Sequence, residues 1–168
     1  MRFRQRLVST GLATALAAAV ASAWPPQAPA AGPPFSPHES MATMELAPGF
    51  ELELVAHEPA VQSPVAIDID ENGRMFVVEM PGYPLDTSPT GRVTLLDDTD
   101  GDGRMDRSRV FADGLVLPTG VMRWKKGVLV TAAPDLLYLE DSDDDGRADR
   151  RTVHVTGFAF TNPQHTVN

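Results

Sequence analysis

Nine residues, Asp98-Thr99-Asp100-Gly101-Asp102-Gly103-Arg104-Met105-Asp106, return 43 positions later as Asp141-Ser142-Asp143-Asp144-Asp145-Gly146-Arg147-Ala148-Asp149. A chain that repeats itself at such a period folds as repeated structural units. Within each copy, carboxylates stand at positions 1, 3, 5 and 9 and a glycine at position 6. That is the ligand spacing of a calcium loop. A hard cation takes six to eight oxygens, alternate Asp residues on a turning backbone converge on one point, and the glycine permits the positive φ of the sharp turn. Position 7 gives a backbone carbonyl in such loops, so Arg104 and Arg147 are acceptable there. The candidate metal ligands are therefore Asp98, Asp100, Asp102, Arg104 and Asp106, and Asp141, Asp143, Asp145, Arg147 and Asp149. The bidentate Glu of a sensor loop is missing at position 12, where Arg109 and Thr152 stand, and no amphipathic helix precedes either loop. Both read as loops joining two β-strands. The competing reading is an ion-free Asp/Gly hairpin turn. Four carboxylates in nine residues repel one another unless something neutralises them, which favours the cation.

Around the Asp loops the residues alternate with a period of two. Val65-Ala66-Ile67-Asp68-Ile69-Asp70 reads as a strand, Glu71-Asn72-Gly73 as a turn, and Arg74 to Met80 as the returning strand. Asn-Gly between apolar runs is a hairpin signal. Val93 to Leu96 enters the first Asp loop and Val110-Phe111 leaves it. The pattern then restarts. Pro118-Thr119-Gly120 lies 54 residues after Pro64, Leu136 to Leu139 enters the second Asp loop, and Val153-His154-Val155 leaves it. Asn162-Pro163-Gln164-His165 stands where a third unit would begin. Repeated units of four strands imply an all-β fold, and specifically a partial β-propeller of two blades plus the start of a third. Because two blades cannot close a ring, the sequence is expected to be the N-terminal portion of a longer protein, prone to self-association when produced alone. A small two-sheet sandwich is the competing arrangement.

Ahead of the repeats, residues 1–23 read as an export signal: Arg2, Arg4 and Arg6, an apolar run from Leu7 to Val20, then Ala21-Ser22-Ala23 as a cleavage signature. An uncleaved membrane anchor is the alternative, and either places the protein outside the cytoplasm, periplasmic or membrane-associated. Residues 24–37, rich in Pro and Ala, read as a stiff linker, leaving 38–168 as the propeller-like domain. Ser36, Pro37 and Glu39 form a helix-start signature, predicting a short helix through about Leu46. Glu51-Leu52-Glu53-Leu54 alternates like a strand.

The net charge of −9 argues against nucleic acid as a partner, because phosphate binding needs a basic face. With no cysteine, disulfides, thiolate metal sites and covalently held haem are excluded within these residues. The histidines have no metal-ligand spacing. Trp124 reads as a core residue, with stacking on a sugar ring the alternative, and His154, in the strand slot that Phe111 fills in the first repeat, reads as a packed or edge residue. Arg74, Arg92, Tyr83 and Glu79 would face a central funnel of a propeller, with solvated surface as their ordinary role.

Phe50 to Pro59, Glu71 to Met80, Leu96-Asp97-Asp98 with its loop, and Phe111-Ala112-Asp113-Gly114-Leu115 followed by Pro118-Thr119-Gly120-Val121 together resemble one family. It is that of the large exported membrane-bound dehydrogenase type proteins of planctomycetes and verrucomicrobia. These look like relatives of the soluble pyrroloquinoline quinone (PQQ)-dependent glucose dehydrogenase propeller. The resemblance covers about residues 36–168. It implies a sugar or alcohol substrate, PQQ and calcium as cofactors, and a c-type cytochrome domain as electron acceptor. Haem c could be held only in sequence beyond these residues. It also implies that His165, near the start of an inner strand, is a catalytic base, a role that suits a group titrating near neutral pH. A structural strand-end histidine is the alternative. No PQQ-binding residue can be carried over. The contrasting reading is a non-catalytic exported propeller that binds glycans or proteins and uses calcium for rigidity.

Overall fold

The computed structural model describes residues 32–167. The export signal and most of the Pro-rich linker lie outside them. The first element is α1 (Pro37–Ala42). Its start is as the sequence predicts. The Ser36 hydroxyl accepts the Glu39 N–H, and the Glu39 carboxylate accepts the Ser36 N–H at 2.8 Å. The helix stops at Ala42, four residues short of the expectation, because none of its residues is buried. Without packing, so short a helix gains nothing by lengthening.

Eight strands follow: β1 (Pro64–Ile69), β2 (Met75–Glu79), β3 (Gly91–Asp97), β4 (Arg107–Leu115), β5 (Gly120–Trp124), β6 (Gly127–Ala132), β7 (Asp135–Glu140) and β8 (Arg150–Thr156). They form two antiparallel four-stranded meanders, β1-β2-β3-β4 and β5-β6-β7-β8. The fold is thus all-β, in two repeated units, as the sequence period requires. The registers repeat as well. Met75 pairs with Leu96 and Asp97 with Arg107, while Val128 pairs with Leu139 and Glu140 with Arg150.

Hairpin chemistry sets the first turn. Gly73 has φ +78°, and Asp70 accepts the N–H groups of Asn72 and Arg74, each at 2.9 Å. Gly127 is required at the second turn for another reason: a Cβ there would lie 1.8 Å from the Leu139 carbonyl oxygen.

One core joins the two sheets. From the first come Phe76, Val78, Val93, Leu95, Phe111 and Leu115; from the second come Val128, Val130, Ala132, Leu137 and Leu139. The Phe76 and Phe111 rings meet edge to face at 5.1 Å, the favourable geometry for their quadrupoles. Where β1 meets β5, the Asp68 carboxylate accepts the Arg123 backbone N–H.

The two sheets use different faces in this contact. Val93 and Leu95 of the first sheet correspond, 43 residues on, to Leu136 and Tyr138. These point away from the shared core and are only half-buried. Conversely, Leu137 and Leu139 of the shared core correspond to Thr94 and Leu96 on the far side of the first sheet. There Val77 and Leu96 are covered by Val61, Ala56 and Met105. The packing is therefore front to back. The first sheet is buried on both faces, and the second is buried on one and half-open on the other.

That open front explains one departure from the sequence reading, at Trp124, and the edge-strand setting of His154 on β8, which is one of its two expected places. Trp124 is 44 % exposed rather than in the core, with the Lys125 ammonium 5.8 Å from its ring. His154 is exposed and stacks on Tyr138 at 5.7 Å, whereas Phe111 in the same slot is 1 % exposed. A further departure is Glu51-Leu52-Glu53-Leu54, which pairs with no strand among the described residues. Among them, no helix is long and apolar enough to cross a membrane.

Candidate metal centre

Both Asp loops stand where the sequence places them, between the last two strands of each sheet. Their backbones are built alike. Asp98 accepts the N–H of Gly101 at 2.7 Å through one oxygen and that of Gly103 at 2.9 Å through the other. Asp141 does the same with Asp145 at 3.1 Å and Gly146 at 2.8 Å. At the far end of each loop, Asp106 takes the N–H and hydroxyl of Thr99, and Asp149 those of Ser142. Each first Asp thus closes the turn upon itself and each last Asp pins the loop's entry. Gly103 (φ +88°) and Gly146 (φ +84°) supply the left-handed step at position 6. Position 4 is also left-handed, filled by Gly101 (φ +79°) in one loop and by Asp144 (φ +63°) in the other.

These donors fix the electrostatics. The Asp98 carboxyl is held below the usual carboxylate range, first by the Gly103 N–H and then by those of Gly101 and Asp102. Asp149 is lowered by the Ser142 hydroxyl above all. Both stay ionised wherever the protein is folded at ordinary pH.

The carboxylates that converge are Asp98, Asp100 and Asp106 in the first loop and Asp141, Asp143 and Asp145 in the second, each set within 4.8 Å. Two oxygens bound to one calcium at about 2.4 Å cannot stand further apart than about 4.8 Å, a limit that both sets meet. The all-oxygen, anionic donor chemistry is that of a hard cation. Asp102 and Asp149 stand outside these sets. Asp102 accepts the Arg104 N–H at 2.8 Å, and Asp149 is engaged by Ser142. Arg104 and Arg147 would contribute their backbone carbonyls, and the Arg147 guanidinium lies 3.9 Å from Asp113.

Arg109, which the sequence shows only as a missing Glu, has a role of its own. Its guanidinium donates to the Asp97 carboxylate at 2.9 Å and to the Asp145 backbone carbonyl at 3.1 Å. It ties the base of the first loop to the body of the second. The adjacent Gly146 holds φ +84°, where a side chain is strained, and a Cβ there would lie 2.6 Å from the guanidinium carbon and push Arg109 aside. Thr99 and Ser142 were also missed as site residues. Their signal was present: a hydroxyl residue after the first Asp, seven positions before the last, in both copies.

Each loop also leans on the neighbouring chain. The Met105 N–H donates to the Val55 carbonyl at 2.9 Å, and the Ala148 N–H to the Phe111 carbonyl at 2.7 Å. Beside the first loop this leaves an open groove of about 580 Å³, lined among others by Val55, Ala56, Asp100 and Arg104. The matching groove at the second loop is about 120 Å³, with Arg151 in place of Ser108.

The remaining candidates stand apart. His165 is exposed in a turn, its backbone N–H donating to Asn162 at 3.0 Å, and neither groove includes it. Arg74 pairs with Asp70 at 2.7 Å, and Arg92 with the fully buried Glu79, which also accepts the Gln62 N–H at 3.1 Å. These are structural ion pairs tying hairpin to sheet. Tyr83 is 53 % exposed.

Comparison with curated proteins and comparison with solved structures each found no match. Comparison with family profiles matched residues 36–168 to the Domain of unknown function (DUF7133). The match begins at the N-cap of α1 and takes in both sheets and both Asp loops, so the chain belongs to the DUF7133 family.

Proposed function

We propose that residues 36–168 are two successive blades of an exported, calcium-stabilised β-propeller. The observation that carries this is the front-to-back packing of two meanders of the same topology. An interface that joins different faces is not self-terminating: it propagates until a ring closes. Four-stranded meanders stacked this way are the blades of a propeller. A sandwich would join its two sheets about equivalent inner faces and leave no half-open apolar front. The converging Asp sets would each hold one calcium, cross-bracing the outer hairpin of its blade. Export, inferred from the first 23 residues, delivers the protein where calcium suffices for loops lacking the twelfth ligand.

Thermal melting of the protein with calcium and with chelator tests the calcium part. Free ion at about 100 times its Kd adds about 2.7 kcal/mol, a clear rise in Tm. An unchanged melting curve would remove calcium from the account.

A second reading adds catalysis to the same scaffold: a PQQ-dependent sugar or alcohol dehydrogenase, passing electrons to a c-type cytochrome domain. It is favoured by the course of the chain after β8. Thr119, at the head of β5, donates its hydroxyl to the Val167 carbonyl, which brings the segment carrying His165 beside the innermost strand of the second sheet. The quinone would accept the hydride, and His165 would take the proton from the substrate hydroxyl. Full-length protein supplied with PQQ and calcium should reduce a dye acceptor with a sugar or alcohol, and His165→Ala should cut that rate at least about 100-fold. Absence of any quinone binding or turnover would leave the scaffold reading alone.

A further inference from the structure

Residues 51–56 belong to no sheet, yet the contacts made by Val55 and by the residues that follow it, through Ser63, resemble those of a fourth strand. The Val55 carbonyl accepts the Met105 N–H of the first Asp loop, as the Phe111 carbonyl of β4 accepts the Ala148 N–H of the second. Ser108 donates its hydroxyl to the Ala60 carbonyl at 2.7 Å, where its counterpart Arg151 donates to the Asp113 carbonyl. Val61 packs on Val77 and Leu96, as Leu115, which ends β4, packs in the core with Val130 and Leu139. Even the exit is shared: Ser63 (φ +49°) precedes Pro64 and Leu117 (φ +40°) precedes Pro118. Relative to the first sheet, residues 51–56 stand where β4 stands relative to the second.

A fourth strand has a third strand beside it, and this one has none among the described residues. Backbone groups alternate sides along an extended chain. With the Val55 carbonyl on the Asp loop, an extended course through 54–56 would turn the N–H and C=O groups of Leu54 and Ala56 to the opposite edge. No described residue hydrogen-bonds to them there. Such an edge is a template for strand addition.

We propose that residues 51–56 are the outermost strand of the ring's last blade, pairing through Leu54 and Ala56 with the third strand of that blade and so closing the propeller. This rests on the propeller reading. It assigns the occupant of the edge: a three-stranded antiparallel sheet of the same repeat, whose own fourth strand this segment replaces. By the same front-to-back rule the partner must present to the back of the first sheet, at Val77 and Leu96, an apolar front face like that formed by Val93 and Leu95.

Two measurements on the full-length protein test this together. Hydrogen exchange reads the amides of 51–57, and hydroxyl-radical footprinting reads Met122 and Tyr138 on the open front of the second sheet. Exchange at 51–57 slowed to within about tenfold of β4, with Met122 and Tyr138 unreactive, is the expected result. Unreactive Met122 and Tyr138 with 51–57 exchanging as fast as residues 43–49 would overturn the closure strand while sparing the propeller. Reactive side chains and fast exchange together would overturn both. Protection at 51–57 with a reactive front would overturn the assigned occupant, since the strand would then pair outside a ring.

Discussion

Asp70 shows what one buried carboxylate does here. It takes two backbone N–H groups of its own hairpin and the Arg74 side chain at 2.7 Å. Burial pushes its carboxyl up, but Arg74 and the backbone donors together outweigh that and leave it lowered. A folded value below the unfolded one contributes stability that is complete above about pH 4 and lost as pH falls through the folded value. Asp70→Asn should therefore cost about 2 kcal/mol at pH 7, with the deficit shrinking below about pH 4, as followed by denaturant melts across pH. Phe76 is the packing counterpart, 2 % exposed and set edge-on against Phe111. Phe76→Ala should cost about 3–5 kcal/mol in the same melts. Position 4 of the Asp loops offers a change of opposite sign. Asp144 holds φ +63° where the first loop has Gly101, and it lies outside the converging set. Asp144→Gly should raise Tm slightly, by relief of about 1 kcal/mol of left-handed strain, without weakening calcium binding.

At the scale of elements, the hairpins and loops were legible because their signals are local. Asn72-Gly73 and the alternating apolar runs mark β1 and β2, and the Asp spacing marks both loops to the residue. What was not legible depended on distant partners. Alternation marks Glu51 to Leu54 as strand-like, but pairing requires a neighbouring edge, and none stands beside it among the described residues. Trp124 reads as core by type, yet its face of the second sheet has no cover among the described residues. Arg109 reads as an absent ligand because its contact, the Asp145 carbonyl, lies 36 residues on and one sheet away. That contact couples the loops: Arg109→Ala should lower Tm with calcium present and weaken binding at the second loop, measurable by calcium titration against the wild type.

For the whole molecule, the repeat is the organising fact. Two meanders stacked front to back bury the first sheet on both faces and leave Met122, Leu129, Leu136, Tyr138 and His154 as a half-open front on the second. That front should associate in the isolated chain, and Leu136→Glu should reduce the association seen by light scattering while leaving each sheet folded. The claim on which the account turns is that each unit carries one calcium. Isothermal titration of the calcium-free protein tests it most directly. The account predicts two ions per copy of residues 36–168 and one when Asp141→Asn removes the carboxylate at the head of the second loop. Absence of heat, or a stoichiometry unchanged by Asp141→Asn, would contradict it.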